Sequence, residues 1–155
     1  MRTFSNIKGM PVHSQETGKK LGTVESLCIT DSGQIKGVFI DVEGFFKRDR
    51  FIPMEAINAV GRDSLVVLGT SFPIAKEGLL EGQSTEDTIG KSLYSTEGNQ
   101  LGLITDVYVK DNLEIISGYE VSNGFFADVT EGKQTFFNTS ACSISDDAVM
   151  IKLQS

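Results

Sequence analysis

The sequence predicts an all-β protein built from two copies of one small domain, and three observations lead there. The first is an internal repeat: residues 8–12 align with 89–93, 18–24 with 98–104, and 37–38 with 118–119, at an offset of 80 or 81. The second is a period of two within each copy. Val38, Ile40 and Val42 alternate with Phe39, Asp41 and Glu43, and Tyr119 and Val121 alternate with Glu120 and Ser122. That rhythm belongs to a half-buried strand. The third is turn chemistry at short intervals, with no amphipathic helix of ten residues or more in either copy.

The elements follow in order. Residues 26–30 and 105–109 are rich in β-branched and aromatic side chains and read as strands. Gly22 and Gly102 fall inside strand patterns, which suggests a bulge or sharp bend at a barrel corner. Asp31-Ser32-Gly33, Glu97-Gly98-Asn99, residues 61–64 and Asp146-Asp147 are turn signals. Later in each copy Phe51-Ile52 aligns with Phe136-Phe137, and residues 63–67 align with 147–151. There the offset is 84 or 85, so loop lengths differ. Residues 53–57 read as a single helical turn. The expected organisation is a first domain over 1–70, a linker over 71–86 and a second domain over 87–155. Phe72, Ile74, Leu79 and Leu80 give that linker enough apolar surface to dock on a barrel or to form a short helix.

The chain has 155 residues, 39% of them hydrophobic and 23% charged, enough to build a core. Residues 1–12 carry Arg2, Lys8 and Pro11 without an apolar run, so no signal peptide is expected. No window reaches the roughly eighteen apolar residues of a membrane span. Two cysteines, Cys28 and Cys142, fit neither a disulfide framework nor a metal knuckle, which points to a reducing, cytoplasmic setting. The net charge of −7 is unevenly shared. Residues 1–72 carry nine Lys/Arg against eight Asp/Glu, and residues 73–155 five against thirteen. The second half would repel phosphate, so direct nucleic-acid binding is disfavoured.

The order of these features resembles the PRC-barrel domain, named from the photosynthetic reaction centre. The pattern is an opening Gly-x-x-[Val/Leu], then Gly-x-x-Leu-Gly-x-[Val/Ile], a strand after Gly-[Val/Tyr], and a closing Ile-Pro-x-x-x-Ile. The last stands here as Ile52-Pro53-Met54-Glu55-Ala56-Ile57. The second copy departs at its end, where residues 137–140 lack the proline. The resemblance implies a six-stranded, partly open barrel in each copy. It also implies action by binding proteins, as in the reaction-centre H subunit and the C-terminal domain of a ribosome maturation factor.

Candidate chemistry is sparse. His13, the one histidine, is expected in an exposed turn. Cys28 and Cys142 read as small buried hydrophobes, with no cation nearby to favour a thiolate. Asp106, Asp111, Glu114, Asp128 and Glu131 lack the rhythm of a calcium loop. No metal, cofactor or catalytic set is expected. The candidate interaction surface is the doubled Gly-Phe-Phe with its basic flank: Phe45, Phe46, Lys47, Arg48, Arg50, Phe125 and Phe126. Adjacent aromatics on a strand face opposite ways, so one of each pair can enter the core while the other packs on the sister domain or is exposed for a partner protein. The expected function is therefore a non-catalytic adaptor that binds a protein. A ribosomal protein fits that description, and self-association is compatible with it. The alternative, a factor in RNA processing or ribosome maturation, rests on the basic residues 47–50.

Overall fold

The computed structural model describes residues 1–43, 49–75, 83–124, 130, 132–137 and 140–153. Each repeat forms one strongly bent, open sheet. In the first, β2 (Pro11–Ser14), β3 (Lys20–Ile29), β4 (Ile35–Asp41), β5 (Arg50–Pro53), β6 (Ile57–Val60) and β7 (Leu65–Val67) run in the order β5-β4-β3-β2-β7-β6. A 3-10 turn, Met54–Ala56, carries the chain from β5 to β6 across the open side. In the second, β9 (Ser92–Ser95), β10 (Gln100–Val109), β11 (Ile116–Ser122), β12 (Gln134–Phe137), β13 (Ser140–Ile144) and β14 (Ala148–Lys152) repeat that order. The pairs β2–β7 and β9–β14 are parallel and the other neighbours antiparallel. The expected pair of partly open six-stranded barrels is what forms.

The long strands β3 and β10 bend twice each, and the residues explain where. Opposite Gly22 and Gly102 the ladder to β2 and β9 slips by one residue. A Cβ on Gly22 would lie 2.2 Å from the carbonyl oxygen of Asp41, and one on Gly102 2.8 Å from that of Ser122. Only glycine lets the two backbones come that close. Gly22→Ala should therefore force the strands apart and cost about 1–3 kcal/mol or more, read as a fall in thermal midpoint. A second bulge lies at Glu25 and Thr105, between Val24 and Ser26 and between Ile104 and Asp106.

Strand register corrects one alignment. Val38 faces Ile52 and its equivalent Tyr119 faces Phe136, so Phe136 matches Ile52 and not Phe51. The sequence offered two consecutive aromatics and no proline to set the frame. Val24, Leu27, Ile29, Val38, Ile40, Ile104, Val107, Val109 and Val121 are buried, while Leu21 and Leu101 are half-buried against the core.

The leading segments are exchanged between the repeats. β1 (Arg2–Thr3) and α1 (Phe4–Ile7) open the first repeat, yet β1 pairs with β10 of the second. β8 (Gln83–Ser84) and α2 (Thr85–Thr88) open the second, and β8 pairs with β3 of the first. Residues 83–86, expected as the end of a linker, thus form part of a strand-helix unit equivalent to residues 2–5. Buried side chains from both repeats make one continuous core in which Phe4 and Ile7 take part.

The exchange is held by complementary polar groups. Thr3 and Ser84 cap the two short helices by accepting from Asn6 N and Asp87 N. The next free helix amide is met from the sister repeat: Ser5 N donates to Asp106 Oδ1 at 3.2 Å, and Glu86 N to Ser26 Oγ at 3.2 Å. The bulges also leave the amides of Leu27 and Val107 needing acceptors. Thr85 Oγ1 serves Leu27 N at 3.0 Å, and Asp106 Oδ1 serves Val107 N at 2.9 Å. Asp106→Ala would leave two amides and the Ser5 hydroxyl without this acceptor. It should cost about 1–3 kcal/mol, visible in chemical denaturation.

Candidate interaction surface

Of the expected surface residues, Phe45, Phe46, Lys47, Arg48, Phe125 and Phe126 lie outside the described residues, as do Asp128 and Glu131. Arg50 is described. It opens β5 opposite Ile40, and its Nη1 donates to the Phe72 carbonyl at 3.2 Å. Phe51 N donates to Pro73 O at 3.0 Å and Ala75 N to Asp49 O at 2.8 Å. The chain leaving the first barrel is therefore laid along the outer edge of β5, and the guanidinium helps hold it there. A cavity of about 420 Å³ sits beside it, with Lys20, Val42, Arg50, Thr70 and Phe72 in its wall.

His13 departs from expectation. It lies in β2 rather than in a turn, and it is half-buried. Its neighbours Pro11 and Val12 read as a strand entry that the nearby Gly18 turn obscured. The ring Nδ1 is 2.6 Å from Ser64 Oγ, which also lies 3.3 Å from the carbonyl oxygens of Pro11 and Leu65. The serine hydroxyl is thereby tied to the β2–β7 seam. Cys28 is buried near the end of β3, between β4 and β8, and burial pushes its thiol pKa up, with a smaller downward pull from Lys36. A thiol so placed is a poor nucleophile.

Charge is concentrated where the repeats meet. Lys8 pairs with Glu86 and ties the start of the first repeat to α2. Burial raises the pKa of Glu25, and the Lys8 charge offsets part of that rise. Asp49 is raised by burial and then by Asp41. At the far side the N-terminal ammonium sits on Asp111 and lowers its pKa. Among the described residues no three His, Cys, Asp or Glu side chains are grouped to hold a metal.

Sequence reasoning missed a second concavity. A cleft of about 720 Å³ separates β6 from the turn between β10 and β11. Ile35, Met54, Ile57 and Val60 supply its apolar floor, and Glu55, Asp111 and Glu114 its rim. No signal in the sequence could have joined residues 54–60 to 111–114, because the exchange of leading segments creates that neighbourhood.

Among the described residues no helix is long and apolar enough to cross a membrane. The chain is similar to the uncharacterized protein YrrD of Bacillus subtilis (strain 168). The two are 28% identical over 138 residues, which cover 86% of this chain and 77% of that relative. The family model for the PRC-barrel domain matches twice, over residues 1–71 and 84–154. The second match begins at Ser84, the residue that caps α2, in agreement with a repeat that opens on its exchanged strand. The chain belongs to the PRC-barrel domain family, one barrel to each repeat.

Proposed function

We propose that this protein is a non-catalytic binding module of the cytoplasm that docks a partner protein on the composite surface of its two barrels. The observation that carries this reading is the exchanged joint. By sharing one core, the barrels become a single scaffold whose surfaces keep a fixed relation, and a preorganised surface loses little entropy on binding. PRC-barrel domains are often protein-interaction modules, in keeping with this. The acidic second half adds a preference for basic partners, ribosomal proteins among them, because charge complementarity speeds encounter.

Affinity capture from native cells with mass spectrometry tests the reading. The expected result is specific retention of one or more proteins, weakening as salt rises from about 0.05 to 0.5 M. Retention no better than on a control matrix would overturn it. So would a turnover activity abolished by His13→Ala in a protein that remains folded.

A further inference from the structure

The two joints between the repeats occupy equivalent places in the fold but differ in structure. At one, the edge strand β13 is stitched to the β3–β4 turn, where Ile144 N donates to Asp31 O at 3.0 Å. The equivalent pair at the other joint is Val60 and Asp111, since Val60 faces Leu65 as Ile144 faces Val149. Among the described residues no backbone hydrogen bond joins Val60 to the Asp111 turn, and the 720 Å³ cleft lies between them.

Two local features account for the opening. The β10–β11 turn is one residue longer than its counterpart: Lys110 N reaches Ile115 O, whereas Thr30 N reaches Gln34 O. Arg2 also enters from the side, its guanidinium on the carbonyl oxygens of Val60 and Gly61. The equivalent residue at the closed joint is Gln83, which is shorter and uncharged.

We propose that this cleft receives an extended segment of a partner protein, with lysine or arginine alternating with apolar side chains, which adds as a strand to the outer edge of β6. The inference rests on the binding-module reading and gives it a place and a partner chemistry. β6 ends the sheet order, so among the described residues its outer edge has no neighbouring strand. Gly61 N bonds to Ser64 O, so the next pair, Val60 and Leu65, is the non-bonded kind, and Val60 turns its own amide outward. An added strand would meet that amide and would send alternate side chains to opposite sides. One set would settle on Ile35, Met54, Ile57 and Val60. The other would reach the carboxylates of Glu55 and Glu114, both exposed. Among the described residues that line the cleft there is no lysine or arginine, and the nearest guanidinium, that of Arg2, is engaged at its side by the Val60 and Gly61 carbonyls. Asp111 is paired with the N-terminal ammonium, whereas Glu55 and Glu114 form no ion pair among the described residues. A phosphate backbone would be repelled here.

The test uses the full chain and a labelled, acetylated nine-residue peptide of alternating valine and lysine, followed by fluorescence anisotropy. The expected result is saturable binding that the double variant Glu55→Lys, Glu114→Lys weakens roughly tenfold. The exposed control pair Glu97→Lys, Asp146→Lys should change it far less. N-methylation of alternate peptide amides should also weaken binding, because it blocks strand addition without altering charge. The inference is overturned by equal binding to the double variant or equal loss in the control pair. Equal affinity for a valine–glutamate peptide or a single-stranded oligonucleotide, or no binding at all, overturns it too. If native-cell capture retains a partner on the wild type and equally on the double variant, this site fails while the binding-module reading stands.

Discussion

Replacing Phe4 by alanine should destabilise the protein by about 3–5 kcal/mol, the range for a fully buried aromatic, and both repeats should lose that stability together. Phe4 is 2% exposed on a four-residue helix that belongs to the first repeat, while β1 just before it pairs with β10 of the second. A helix of four residues has no stability of its own, so the ring anchors the segment. Loss of the anchor removes apolar burial from the shared core and frees β1. Calorimetry should show one transition at lower temperature. Two separated transitions, or one domain unchanged, would mean that the repeats fold as independent units.

The second large effect lies at Leu113, which is fully buried although its φ is +59°. The equivalent position in the first repeat is Gly33, with φ +85°. A left-handed backbone costs a non-glycine residue roughly 1–2 kcal/mol, and burial of the leucine side chain sustains it. Leu113→Ala should cost about 2–5 kcal/mol, since the side chain is lost and the strain remains. Leu113→Gly loses slightly more side chain but sheds the strain. It should be no more destabilising than the alanine variant, whereas glycine at an ordinary strand position costs about 0.5–1 kcal/mol more than alanine. Denaturant unfolding of the two variants side by side checks the order.

The sequence made some features legible and hid others for physical reasons. Each barrel could be read because Gly22 and Gly102, and the apolar alternation of Val38, Ile40, Tyr119 and Val121, are demanded locally by strand crossing and burial. The exchange could not be read. Phe4 and Ile7 correspond to Thr85 and Thr88, so one leading helix buries apolar side chains and the other buries hydroxyls. Four-residue helices are also too short for periodicity to register. Asp106 looked like one acid among several, and its role appears only when the β10 bulge brings it to Ser5. Of the surface expected at the Gly-Phe-Phe repeats, only Arg50 lies among the described residues, and it steadies the departing chain. The cleft beside β6 follows from a difference of one turn residue and one arginine, which no pattern within a single repeat displays.

The exchanged strand-helix units have a bearing on ancestry. Each repeat donates the same element and receives the same element, which is the arrangement of a symmetric, domain-swapped homodimer. A single-repeat precursor would have reached this architecture by pairing with a copy of itself, subject to its own concentration. Joining two genes for that precursor end to end would have made the encounter intramolecular, at an effective concentration of order millimolar. From then on the halves were free to diverge. Among the described residues one joint has the backbone stitch and the other does not, a difference that a strictly symmetric dimer would not hold.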